Sequence, residues 1–133
     1  MNLDGFGESV SISETFSIIG IPYDDIGSQS NQGSALILIK QNNEWIKDTQ
    51  ITSINGSSGD RFGDAVCIFG ETAFVGSPYD DEFQSDQGSV SIFERLNGLW
   101  NETQKIIASD SISSALFGSS IDCENDTIIV GSI

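Results

Sequence analysis

The chain repeats itself with a period longer than a hairpin and shorter than a domain. Phe6-Gly7 recurs as Phe62-Gly63 and again as Phe117-Gly118, at spacings of about 56 and 55 residues. Gly20-Ile21-Pro22-Tyr23-Asp24-Asp25 returns as Gly76-Ser77-Pro78-Tyr79-Asp80-Asp81, Gln32-Gly33-Ser34 as Gln87-Gly88-Ser89, and Trp45 as Trp100. The second copy is one residue shorter between Asp81 and Gly88 than the first is between Asp25 and Gly33. A length change confined to a polar, glycine- and serine-bearing stretch marks a loop. The third copy runs to Gly131-Ser132, in register with Gly76-Ser77. Such units bury their apolar faces by stacking on their neighbours.

Within a unit, alternation and turn punctuation predict four strands. In the second copy they fall at 62–69, 72–77, 88–94 and 99–107, with a turn at Gly70-Glu71, a polar loop at 78–87 and a hairpin at Asn97-Gly98. Asn-Gly favours that hairpin because both residues accept positive φ. Val90 and Ile92 share one face of the third strand, and Ser89, Ser91 and Phe93 the other. Four antiparallel strands in about 55 residues fit a β-propeller blade, a solenoid unit or a string of sandwiches. Apolar first and second strands (Val66, Ile68, Phe69; Phe74, Val75) and a charged fourth strand (Asn101, Glu102, Gln104, Lys105) favour the blade, with a polar outer edge. The expected fold class is therefore all-β: a partial β-propeller of about 2.3 four-stranded antiparallel blades. Blade one spans approximately 4–59, blade two 60–114, and 115–133 form the first half of blade three.

The motif Phe-Gly, then Val-Gly-Ser-Pro-Tyr-Asp-Asp, then Gln-Gly-Ser-Val-Ser-Ile-Phe resembles the FG-GAP repeat, which builds the propeller head of integrin α chains and many extracellular proteins. Phe62-Gly63 and Gly76-Ser77-Pro78 carry the match in copy two, with Ser77 where Ala is usual. Phe6-Gly7 and Gly20-Ile21-Pro22 carry it in copy one, and Phe117-Gly118 and Val130-Gly131-Ser132 in copy three. Asp4 and Asp60, two residues before Phe6 and Phe62, also fit; Ala115 and Leu116 depart from the pattern. The resemblance implies a propeller segment of a cell-surface or secreted protein, joined to further blades. It does not carry over the family's calcium loop between the first two strands. Those turns (Ser13-Glu14, Gly70-Glu71, Asn125-Asp126) are too short to supply six to eight oxygens.

Twenty acidic residues face five basic ones and no His, for a net charge of −15. Such a surface repels nucleic acid and anionic membranes and attracts basic partners or divalent cations. No apolar run is long enough for a spanning helix, and residues 1–9 are polar and lack a secretory h-region. The chain then reads either as a cytosolic protein starting at Met1 or as a segment of a longer secreted precursor; the repeat phase favours the segment. Because propellers close with about four to eight blades, both terminal blades are expected to be covered by more chain or a partner. Ile121, Ile128 and Val130 are expected on the open face of the last one.

Catalysis fits poorly. Without His, acid–base work falls to carboxylates, and the adjacent pairs Asp24-Asp25 and Asp80-Asp81 point their side chains apart. Asp80, Asp81 and Asp86, with Glu82, crowd one loop with the oxygen calcium favours, and Asp24 and Asp25 open the equivalent loop of copy one. The reading preferred over calcium is that the first Asp of each pair caps its turn by accepting backbone amides. Trp45 and Trp100 sit at equal depth in their units, as packing between blades demands. Cys67 aligns with Ser11, and Cys123 with Ile12 and Ile68, so the two lie on opposite faces of first strands in different blades. They are expected as two free, mostly buried thiols. Three sequons, at Asn55, Asn101 and Asn125, fall where side chains face water and imply N-linked glycans on a secreted chain.

The functional expectation is a non-catalytic extracellular module for adhesion, recognition or assembly of a surface structure, binding a protein or glycan partner or further blades. Two rivals stand beside it. One is a structural subunit that self-assembles into a filament or surface layer through its terminal blades, and the other an accessory propeller attached to an enzyme outside this segment.

Overall fold

The structure, a computed structural model, describes residues 3–110 and 112–133. Among the described residues ten strands run in chain order: β1 (Val10–Ile12), β2 (Phe16–Ile21), β3 (Ser34–Gln41), β4 (Glu44–Ile51), β5 (Ala65–Phe69), β6 (Thr72–Ser77), β7 (Ser89–Leu96), β8 (Leu99–Ile106), β9 (Ser120–Glu124) and β10 (Thr127–Gly131). They form three antiparallel meanders, β1-β2-β3-β4, β5-β6-β7-β8 and β9-β10. The architecture is all-β, a partial propeller of two full blades and the inner half of a third. Blades one and two share even their irregularities. A bulge falls between Ile37 and Leu38 in the first and between Ile92 and Phe93, the equivalent positions, in the second.

Each blade has a leading face toward the preceding blade and a trailing face toward the next. Strand alternation sorts the side chains between them. The trailing face of blade one (Phe16, Ile18, Ala35, Ile37, Ile51) meets the leading face of blade two (Phe62, Val66, Ile68, Ala73, Val75, Phe93) in one buried cluster. The trailing face of blade two (Cys67, Phe74, Val90) meets Phe117, Ile121, Cys123, Ile128 and Val130 of blade three in the second. This corrects one expectation. Ile121, Ile128 and Val130 pack inward against blade two, and it is Ile129, on the opposite face of β10, that is exposed.

The Phe-Gly motif joins one blade to the next. The first strand of blade two begins at Ala65, later than the alternation suggests, because Phe62 pairs with the preceding blade, while the Gly63 N–H donates to Gly76 of β6 at 3.0 Å. Phe62 pairs in parallel with Gly33 of blade one, its N–H donating to the Gln32 carbonyl at 2.9 Å, and Phe117 repeats this with Gly88 and Gln87. Gly63 has φ +99°, and a methyl there would also run into the Ser34 carbonyl. Gly33 (φ +89°) meets the Phe62 backbone as closely. Both glycines of the repeat are thus fixed by left-handed backbone and by main-chain contact between blades.

The three phenylalanines do not share one environment. Phe62 is fully buried and Phe117 half-buried, but Phe6 is 64% exposed. Phe62 packs on the preceding blade; Phe6, at the leading face of blade one, meets no such blade among the described residues.

Candidate functional site

In each four-stranded meander the loop between its second and third strands and the linker to the next blade emerge at the same end, opposite the short hairpins. They touch there: the Gly59 N–H donates to the Ser30 carbonyl at 2.9 Å. This loop rim gathers the paired aspartates, and the two members of each pair have different tasks. Asp24 accepts hydrogen bonds from the Ser34 hydroxyl (2.6 Å) and the Gln50 amide (2.9 Å). In blade two Asp80 accepts from the Ser89 hydroxyl (2.6 Å) and from Lys105 Nζ (3.0 Å). The repeated Gln-Gly-Ser thereby supplies the serine that anchors the repeated Tyr-Asp. The second aspartates form the caps: Asp25 accepts the Asn31 N–H at 2.9 Å and Asp81 the Asp86 N–H at 2.6 Å. Both amides belong to residues with φ near +50°. Capping by the first Asp is thus corrected to capping by the second, because the first is turned back onto the third and fourth strands.

Asp60, which in the sequence stands out only as part of the repeat pattern, closes the linker. It is 5% exposed and accepts the Ser57 N–H at 2.7 Å. Burial pushes its carboxyl up to about 6 against the pull of that amide, and the nearby Asp80 charge adds to the rise. Asp60, Asp80, Asp81, Glu82 and Lys105 line a cleft of about 240 Å³, with Asn55 and Ser57 beside them. Lys105 also reaches Glu82 at 3.4 Å. Burial pulls the Lys105 ammonium down, but Asp80 and Glu82 outweigh it and leave its pKa raised. Asp86 lies outside the cleft, and Asp24 and Asp25 belong to the equivalent loop of blade one. Among the described residues no three acidic, Cys or His side chains converge as a metal site would require. The cleft is instead an anionic pocket with one built-in cation, suited to a basic or hydrogen-bonding group of a partner.

Beside it, Arg61 is held between two tyrosines of successive blades, 5.0 Å from the Tyr23 ring centre and 4.4 Å from that of Tyr79. The repeated Pro-Tyr therefore makes a cation–π clamp across the blade junction. At the outer edge Trp100 packs edge-on against Phe16 of blade one (5.2 Å), and its Nε1–H donates to Asp48 at 2.9 Å. Trp45, its repeat partner, remains about a third exposed. Asn55, Asn101 and Asn125 are all exposed, in the blade linker, on β8 and in the β9–β10 turn.

Cys67 and Cys123 are not free thiols: they form a disulfide joining blades two and three, with Cα atoms 6.0 Å apart. The expectation of free thiols misjudged the stacking. In stacked blades a trailing face meets a leading face, so residues on opposite faces of successive first strands are the ones that meet. The signal lay in the first junction, where Ser11, aligned with Cys67, accepts the N–H of Ile68, aligned with Cys123, at 3.0 Å.

Among the described residues no helix is long and apolar enough to cross a membrane. No curated protein matches the sequence. A family model of the FG-GAP repeat matches residues 1–38, 45–93 and 100–133, each segment falling within one of the three blades or running from one to the next. With the Phe-Gly junctions, the anchored Tyr-Asp loops and a match over most of its length, the chain belongs to the FG-GAP repeat family.

Proposed function

We propose that the chain is a non-catalytic extracellular β-propeller module for adhesion, recognition or assembly of a surface structure. The Cys67–Cys123 disulfide is the observation that carries this reading. A cross-link of this kind persists in secreted and surface proteins and is rare where glutathione keeps thiols reduced. Three exposed sequons agree with the same compartment. The rim carboxylates support binding over chemistry. Asp24, Asp25, Asp80 and Asp81 are committed to a serine, an amide side chain, a lysine and turn amides, and the sequence contains no His to move protons. The loop rim, with its anionic cleft at Asp60 and Glu82, is the recognition surface, and its ligand is a protein carrying basic side chains or a glycan offering hydroxyls. Mass spectrometry of the native protein before and after enzymatic deglycosylation tests the reading. At least one of Asn55, Asn101 and Asn125 is expected to carry a glycan; three bare sequons contradict an extracellular eukaryotic chain.

A further inference from the structure

The outer hairpins of blades one and two share a backbone and differ in chemistry. Both turn through two residues of positive φ, Asn42-Asn43 in the first and Asn97-Gly98 in the second. The cross-strand pair that flanks the turn is Gln41 with Glu44 in blade one and Leu96 with Leu99 in blade two. Leu96 is 58% and Leu99 68% exposed. Gln41 and Glu44 are exposed although blade two stands against the trailing face they belong to, so packing between blades does not require leucine at these positions. A single exposed leucine needs no explanation, but an apolar pair at a hairpin tip where the repeat otherwise has polar residues does. A second difference falls in the same place. Asn101 opens the sequon Asn101-Glu102-Thr103, where blade one has Ile46-Lys47-Asp48. Asn101 lies two residues beyond Leu99 on β8, so the two side chains leave the same face of the strand, and Leu96 joins them as the partner of Leu99. Asn101 is exposed, and one N–H of its amide donates to the Leu99 carbonyl at 3.2 Å, which holds the amide beside the leucine and leaves its other hydrogen to be replaced.

We propose that Asn101 carries an N-linked glycan whose first N-acetylglucosamine lies over Leu96 and Leu99. The proposal rests on the reading of the chain as extracellular and gives one of its three sequons a structural task. The transfer joins Asn101 Nδ2 to C1 of the sugar, which leaves a polyprenyl pyrophosphate carrier of the secretory pathway, and the displaced amide hydrogen departs as a proton. The pairing of features selects the occupant, because the apolar pair and the sequon occur together in blade two and are both missing from blade one. The sugar suits the place: its ring C–H face and acetyl methyl cover leucine while its hydroxyls stay in water.

The test uses the full chain secreted from a eukaryotic host that adds high-mannose glycans, trimmed with an endoglycosidase that leaves one N-acetylglucosamine at each occupied site. The trimmed chain should melt a few degrees above Thr103→Ala, which lacks the sequon. With Leu96→Gln and Leu99→Glu, the residues of blade one, most of that difference should vanish; the two comparisons form a cycle in which any cost of Thr103→Ala itself cancels. A nuclear Overhauser contact between the acetyl methyl of the sugar on Asn101 and the Leu99 methyls is expected. A bare Asn101, a melting difference indifferent to the leucine substitutions, or no such contact overturns the proposal. A dimer of the glycosylated chain that Leu96→Gln with Leu99→Glu dissolves also overturns it, in favour of self-association. The host glycosylates what it secretes, so these outcomes are independent of where the native protein resides, which the glycan mapping of native material tests separately.

Discussion

Replacing Cys67 by Ser together with Cys123 by Ile removes the cross-link while reproducing the Ser11–Ile68 pairing of the first junction, where the serine oxygen accepts an amide at 3.0 Å. The double variant therefore changes the tether and little else. The disulfide closes a loop with a sequence separation of 56. Loop-closure entropy for a ring of that size is about −14 cal/mol/K, a stabilisation of roughly 4 kcal/mol at 25 °C. Against the 5–15 kcal/mol typical of a domain, that is a large fraction. Urea unfolding of wild type and variant, each with and without reductant, measures it. The variant should lose about 4 kcal/mol, and reductant should lower wild type to a similar level while leaving the variant unmoved. A loss below about 1 kcal/mol, or a wild-type midpoint indifferent to reductant, would refute the account of blade three as a tethered half-blade.

Asp60 should give an unusual pH profile. Its folded pKa, raised to about 6, exceeds the unfolded value of 3.8, so the folded state holds the proton more tightly. Stability should rise by roughly 3 kcal/mol as pH falls from above 6 toward 4, and Asp60→Asn, which keeps an acceptor for Ser57, should flatten that rise in Tm-versus-pH scans. Phe62→Ala should cost about 3–5 kcal/mol in chemical denaturation and Phe6→Ala less than about 0.5, although the two occupy the same repeat position. Equal losses would contradict the blade order. Lys105→Ala leaves Asp80 short of its cation and should cost about 1–3 kcal/mol, less than a fully buried pair because Lys105 is partly solvated. Lys105→Gln should be milder, since Gln50 already serves Asp24 in that role.

The period and the order of strands were legible because each repeated residue answers a local or junction constraint. Phe62-Gly63, Gly33 and Ser34 recur since a left-handed glycine, a main-chain contact and a carboxylate anchor must recur in every blade. Strand β6 falls where alternation placed it, and β5 starts late because Phe62 pairs with Gly33 of the preceding blade, which leaves only the Gly63 N–H to reach β6, at the Gly76 carbonyl. What the sequence concealed lies between blades. Cys67 with Cys123, Arg61 between Tyr23 and Tyr79, and Trp100 on Asp48 join residues roughly 20 to 60 positions apart. Reading them requires knowing that a trailing face meets a leading one. The burial of Asp60 was hidden for the same reason, since residues from the linker, the 78–87 loop and β8 gather around it.

A module that works in recognition outside the cell must be reachable from the medium, and surface labelling tests that. An antibody raised against the folded chain should stain intact, unpermeabilised cells that make the protein, and brief external protease should remove the signal. Staining that emerges only after permeabilisation, with the protein untouched by external protease, would contradict the account.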